Sequence, residues 1–187
     1  MENRERNILD AATRVFLRYG VKRASMGDIA AEAGVARQTL YNTYSNKDDI
    51  LRGSIRAYGT DALQAIEAKL PGLTTTAEKV DLILDEMALK PFVLLHSSPN
   101  AQDLIDGYNA AGRSEMEANN DAFQSLFLRI FTSHADALPR RGLSPDLLAE
   151  LARRSATSLK YQAQDEGHLR TLIEGLRSMI VAAVDET

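Results

Sequence analysis

The 187-residue chain contains no cysteine. That absence excludes a disulfide scaffold, an iron–sulfur cluster, a thiolate zinc site and a cysteine nucleophile. Long apolar runs are also missing. The longest stretch without Asp, Glu, Lys or Arg, residues 91–102, holds two prolines and several polar residues, so no membrane-spanning helix is expected. The opening Met1-Glu2-Asn3-Arg4-Glu5-Arg6 leads into no apolar signal core, which makes a cytoplasmic location the expectation. Strand signals are scarce: β-branched residues nowhere alternate over a long run, and no hairpin dipeptide separates two such runs. At 44% hydrophobic and 26% charged residues, the composition is that of a chain able to bury a core and excludes a disordered one.

The net charge of −4 conceals an asymmetry. Residues 1–56 carry ten Lys/Arg against seven Asp/Glu, net +3, whereas residues 57–187 carry twelve against nineteen, net −7. A small basic head on an acidic body suits an anionic partner at the N-terminal end.

Helical spacing pervades the chain. Ile8, Ala12, Val15 and Tyr19 fall on one face and are followed by Gly20; Phe123, Leu126, Phe127, Ile130 and Phe131 make a second stripe. Leu169, Leu172, Ile173, Leu176, Met179, Ile180, Ala183 and Val184 make a third, broader one. Ser25-x-x-Asp28, Ser45-x-x-Asp48 and Thr75-x-x-Glu78 read as capping boxes, and Ser98-Pro99 and Ser144-Pro145 as N-caps followed by proline at the first helical position. The spacing predicts an all-α chain with helices over about 3–19, 26–33, 37–44, 47–70, 76–90, 99–110, 113–137, 144–165 and 168–185. Residues 91–98, bracketed by two prolines, hold at most a short extra turn.

The second and third of these helices are short and joined by Glu32-Ala33-Gly34-Val35-Ala36, the pattern of a helix-turn-helix. Ala30 is small enough for a close crossing, Gly34 permits the turn, and Val35 and Leu40 face the core. The outer face of the third helix then carries Arg37, Gln38, Thr39, Tyr41, Asn42 and Thr43, hydrogen-bonding side chains with no acid among them. A major groove admits one such helix. Lys47 opens the next helix, where its charge and the helix amides could together meet a phosphate.

The run Ile8-Leu9-Asp10-Ala11-Ala12, Val15-Phe16, Tyr19-Gly20, then Ser25-Met26-Gly27-Asp28-Ile29-Ala30, Ala33-Gly34-Val35, Thr39-Leu40-Tyr41 and Tyr44-Ser45-Asn46-Lys47-Asp48-Asp49-Ile50-Leu51 closely resembles the DNA-binding domain of the tetracycline-repressor (TetR) family of transcriptional regulators. The likeness covers residues 6–52, about a quarter of the chain. It implies a helix-turn-helix DNA-binding domain at 1–46 and a helical effector-binding and dimerisation domain at 47–187. It places Ser25, Arg37, Gln38, Thr39, Tyr41, Asn42, Thr43 and Lys47 on DNA. Ser25 matches a position that often bonds phosphate. Three departures stand out: Ala36 replaces the usual serine cap, Tyr44 adds a hydroxyl to the usual phenylalanine, and Gly27 offers no side chain where some members place a base-reading arginine. Thr43 is smaller than its usual counterpart, which puts base reading on Arg37, Gln38 and Asn42.

The resemblance further implies a homodimer built on the last two helices, with Leu151, Ser155, Leu159, Leu169, Leu172, Leu176, Met179 and Ile180 at the seam. It also implies a pocket for a small hydrophobic or amphipathic effector, with Tyr58, Met87, Phe92, His96, Tyr108, Met116, Phe123 and Phe127 as candidate liners. The expected function is that of a ligand-released repressor on a near-palindromic double-stranded DNA operator. The competing reading is a helical small-molecule-binding or protein-adaptor module that binds no DNA. An enzyme is disfavoured: His96, His134 and His168 lie far apart with no metal-ligand spacing, and GxGxxG, GxxxxGK[ST] and GxSxG are all missing. No cofactor or metal is called for.

Overall fold

A computed structural model of the chain describes residues 3–184. Among them every regular element is helical, as the periodicity predicts. Packing divides the chain into two units: residues 1–61 with 94–119, and residues 62–93 with 120–187. The expected division at 46/47 followed motifs; the division by contacts falls elsewhere, because a later segment of the chain returns to the head.

In the first unit, α1 (Asn3–Tyr19) buries Ile8, Ala11, Ala12, Val15 and Phe16 in a core shared with α2 (Met26–Ala33), α3 (Arg37–Thr43) and the start of α4 (Lys47–Lys69). Ile29, Ala30, Leu40, Ile50 and Leu51 come from those partners and are likewise shut off from solvent. Ser25 caps α2 as expected: its Oγ accepts from the Asp28 amide at 3.2 Å, and Asp28 accepts from the Ser25 amide at 3.0 Å. Gly34 closes α2 with φ 65°, where a side chain would be strained, while the Val35 amide reaches back to the Ala30 carbonyl at 3.0 Å. At α4 the cap is shifted by one residue. Asn46 Oδ1, not Ser45, accepts from the Asp49 amide at 2.9 Å, and Asp49, not Asp48, accepts from the Ser45 amide at 3.2 Å.

The segment after His96 completes this unit. Ser98 Oγ accepts from the Asn100 amide at 2.9 Å, as a cap would, while its hydroxyl donates to the Leu17 carbonyl at 2.6 Å, and Asn100 donates to the Arg18 carbonyl at 3.1 Å. The latter two bonds satisfy carbonyls left over at the end of α1. The helix that follows, α7 (Ala101–Ala111), therefore starts later than predicted and sends Leu104 into the same core.

The second unit contains the remainder of α4, then α5 (Thr76–Leu84), capped by Thr75 and Glu78. The Glu78 carboxyl is held down at about 2 by the amides and hydroxyls of Thr74 and Thr75. A π-helical turn, Asp85–Leu89, links α5 to α6 (Lys90–His96), so the helix runs through Pro91 rather than stopping before it. The Lys90 amide bonds the Asp85 carbonyl, five residues back. The wider turn relieves the clash that a proline ring makes with the carbonyl four residues earlier. Glu86, on this turn, is buried and paired with Lys90 and Lys69.

The helix predicted over 113–137 ends early: α8 is Arg113–Phe131. Beyond it, the hydroxyls of Thr132 and Ser133 turn back onto the Leu128 and Ile130 carbonyls, each at 2.7 Å, and compete with helix propagation. Short 3-10 turns at Thr132–His134 and Leu138–Arg141 lead to α9 (Pro145–Gln162), capped by Ser144 as expected, and α10 (Glu166–Val184). Phe123, Leu126, Phe127, Ile130 and Phe131 of α8, Leu148, Ala152 and Ala156 of α9, and Leu169, Ile180 and Val184 of α10 are all buried. The chain passes between units inside α4, α6 and α8, after Asp61, Val93 and Asn119.

Candidate nucleic-acid interface

Seven residues make α3, and they divide cleanly by face. Leu40 is fully buried, which pins the helix to the core. Arg37, Gln38, Tyr41, Asn42 and Thr43 are exposed, and Thr39 is half-buried. Gln38 Nε2 donates to Asn42 Oδ1 at 3.0 Å, one helical turn on, so two amide side chains share one orientation on the outer face. Each retains a free donor or acceptor edge. Thr43 is less available than the sequence implies, because its hydroxyl donates to the Thr39 carbonyl at 3.2 Å. As anticipated from Ala36, no side chain caps α3; its start is fixed by the tight turn before it.

Two residues expected on phosphate are otherwise engaged. Ser25 spends its hydroxyl on the capping box, donating to Asp28 Oδ2 at 2.6 Å. Those bonds hold the Asp28 carboxyl below its usual range, which keeps a negative charge beside Ser25. Lys47 is directed inward. Its ammonium donates to the Val21, Lys22 and Ala24 carbonyls, the last at 3.0 Å. Three N–H donors thus meet three carbonyls that the loop between α1 and α2 leaves without helical partners. In the free protein both groups are spent on fixing the loop and the start of α2.

Sequence reasoning missed the residues that hold this loop from the other side. Asp103 Oδ2 accepts from the Lys22 amide at 3.0 Å, and Asn100 Oδ1 accepts from Arg23 at 2.8 Å. No local signal marks them, since their partners lie about eighty residues away in the chain. Tyr44 is half-buried beside Leu9 and Gly53, and its phenol is pushed up mainly by burial.

The eight candidate effector residues are not gathered by either unit alone. Tyr58, His96, Tyr108 and Met116 belong to the first; Met87, Phe92, Phe123 and Phe127 belong to the second. His96 is exposed, whereas Met87, Phe92, Phe123 and Phe127 are core residues. The Tyr108 phenol is pushed up to about 12 by burial. Tyr58 lines a cavity of about 160 Å³ with Arg6, Thr13, Ser54 and Asp61. That is smaller than drug-sized ligands occupy. A larger groove of about 520 Å³ runs between α5 with its π turn and α10, lined by Asp81, Leu82, Asp85, Leu89, Arg170, Ile173, Glu174 and Arg177. None of the predicted liners is in it. Among the described residues no group of three or more His, Cys, Asp or Glu could hold a metal ion, and no helix is long and apolar enough to cross a membrane.

The proposed seam also separates. Leu169 is 0% exposed and Ile180 2%, so both serve the protomer's own core and are removed from the seam. Leu159 packs partly on the small core of Leu89, Phe92 and Leu169. Leu151 and Met179, by contrast, are 46% and 72% exposed, joined by exposed Leu147 and by half-buried Ser155, Leu172 and Leu176.

Residues 8–53 match the family described as bacterial regulatory proteins, tetR family. The N-terminal domain, residues 8–53, is of the tetR family. The transcriptional repressor LfrR of Mycolicibacterium smegmatis is 37% identical over 98 residues, half of this chain and 49% of the relative. The chain spans about half the length of the curated relatives it matches. Similarity of fold extends further. A TetR transcription regulator from Haloarcula marismortui superposes with a TM-score of 0.75 at 18% identity, covering 98% of this chain and 99% of that one. The FadR regulator of Bacillus subtilis, solved in complex with stearoyl-CoA, gives 0.67 at 19% identity, covering 96% and 99%. The matched stretch is the helix-turn-helix of α1–α3 with the start of α4.

Proposed function

We propose that this chain is a sequence-specific, DNA-binding transcriptional regulator that works as a homodimer. In this reading it represses by occupying a near-palindromic operator and is released by a small hydrophobic or amphipathic effector. The observation that carries the reading is the outward face of α3: a short helix anchored by Leu40 that presents Arg37, Gln38, Tyr41 and Asn42 to solvent. A buried bundle helix would not leave four such groups outside, and a groove-reading helix requires them. Backbone phosphates then fall to Lys22, whose side chain is 79% exposed and only loosely paired with Asp103, on the loop that Lys47 secures.

Dimerisation is supported by α9 and α10, each apolar on two faces. Leu148, Ala152 and Ala156 line the inner face of α9, and Leu147 and Leu151 its outer one. A two-fold dimer presents two α3 helices to half-sites about 34 Å apart, or a multiple of that. The effector class is supported by the apolar interior of the second unit and by the stearoyl-CoA bound to the structurally similar FadR. Because α4 runs unbroken past Asp61, a ligand that favours one setting of its later turns can change how α3 is presented. A coupling of about 1–3 kcal/mol would weaken operator binding about 5–150-fold. Selection of bound duplexes from a random DNA pool tests the reading. Recovery of inverted half-sites supports it, and recovery of no preferred sequence contradicts it.

A further inference from the structure

Gly27 stands in the first turn of α2 at a backbone angle that any residue adopts, since the positive-φ glycines are Gly20, Gly34 and Gly142. Glycine is a poor helix former, and nothing in the backbone requires it there. What requires it is a side chain from another helix. A Cβ on Gly27 would lie 2.5 Å from Nη2 of Arg37, 3.0 Å from Cζ and 3.1 Å from Nε. Three atoms of the guanidinium therefore rest against the Gly27 Cα. Arg37, the first residue of the reading helix, is laid back over the first turn of α2 instead of extending freely from α3. Among the described residues no carboxylate comes within ion-pair distance of it, although the Asp28 carboxylate beside Gly27 attracts it; that charge and the contact with the bare backbone orient it together, and its donors are unspent.

We infer that Gly27 is a positioning residue for base recognition. Its missing side chain forms a notch that holds the Arg37 guanidinium in one orientation, and the fork so held reads a guanine in each half-site. The chemistry is that of a planar five-donor group, which meets the O6 and N7 acceptors of guanine in pairs. An arginine held on a surface before binding loses less freedom when it engages than one that swings free. This inference rests on the DNA-reading role proposed for α3 and adds the residue that sets its most discriminating contact.

The test compares wild type with Gly27→Ala, Arg37→Ala, Arg37→Lys and the Gly27→Ala/Arg37→Ala double variant. The readouts are thermal melting, affinity for the selected duplex, and affinity for the same duplex with one guanine changed in each half-site. Gly27→Ala should melt at or above the wild-type temperature, because only the far end of a flexible side chain must move. It should nonetheless lose preference for the guanine by about 5–100-fold per half-site, the range a good bidentate contact supplies. Arg37→Ala should lose as much, and Arg37→Lys should not restore it. In the double variant the glycine change should cost nothing more. Full retention of guanine preference by Gly27→Ala, or an equal further loss in the Arg37→Ala background, would overturn the notch while leaving DNA reading by α3 in place. A wild-type protein with no sequence preference would overturn both, and the wild-type selection alone reveals that outcome.

Discussion

The first unit adds clips at its helix ends to an apolar core, and the second relies more on packing along the sides of longer helices. In the first, α2 and α3 have eight and seven residues, too few to be stable alone. Polar groups make up the difference. Ser25 and Asp28 cap α2, Asn46 caps α4, Lys47 gathers three loop carbonyls, and Ser98 and Asn100 close the end of α1. In the second, α8, α9 and α10 have 18 or 19 residues each and stay together through stacked apolar side chains, such as Phe127 and Phe131 with ring centres 5.8 Å apart. The contrast suits a division of labour. A surface that must present a few side chains in register needs defined helix ends, whereas an interior that must accommodate a ligand and a second copy needs apolar area.

The largest effect should come from breaking the sideways packing between copies. Charges on the outer faces of α9 and α10, as in Leu151→Asp with Met179→Glu, remove no buried core group, because both residues are well exposed in the protomer. The variant should stay helical yet sediment as a monomer. It should lose operator affinity by more than about 100-fold, since each half-site alone forfeits the gain of tethered binding. An intact dimer by light scattering would place the interface elsewhere.

Breaking an end-clip should cost less and act on the head alone. Lys47→Met leaves three carbonyls without a donor and should destabilise by about 1–3 kcal/mol, the scale of bonds to a charged group. Urea denaturation measures this. If Lys47 instead sat on phosphate, the variant would unfold normally and only flatten the salt dependence of DNA binding.

A smaller effect sharpens the contrast from the second unit's side. Lys160 is half-buried near the end of α9, and burial lowers it to about 8 from 10.5. Below pH 8 the folded protein carries a charge that burial disfavours. Between 8 and 10.5 the unfolded chain binds the extra proton, so wild-type stability rises with pH. Lys160→Met should therefore gain about 1–3 kcal/mol at pH 7, and the gain should shrink across that window. The ring of Tyr161, 5.1 Å from the ammonium, offsets part of the cost and favours the lower end. A pH-independent difference between the two proteins would contradict the role given to burial.

How far each unit could be read from sequence follows from the same contrast. The caps at Ser25, Thr75 and Ser144 were legible because cap and partner lie three residues apart. Ser45 misled because Asn46 beside it caps equally well; Ser98 does accept from the Asn100 amide, but its hydroxyl also bonds a carbonyl 81 residues away and the helix itself starts at Ala101. Lys47 looked like a phosphate ligand for a similar reason: its partners lie 23 to 26 residues back in the chain. The outward side chains of α3 were legible as a set, since Leu40 alone fixes which face is hidden. The α10 stripe was legible as apolar but not as two faces. When apolar residues cover more than half of a helix, periodicity cannot tell Leu169 and Ile180, which are buried, from Met179, which is not. Pro91 promised a break, and the π turn before it removed the need for one.

The selection from a random duplex pool measures the central claim most directly, with the mass of the complex on the winning sequence determined alongside. The account predicts an inverted repeat with a guanine in each half, bound by two chains, with affinity falling steeply as salt is raised. An asymmetric site bound by one chain, or an enriched pool with no common sequence, would contradict it.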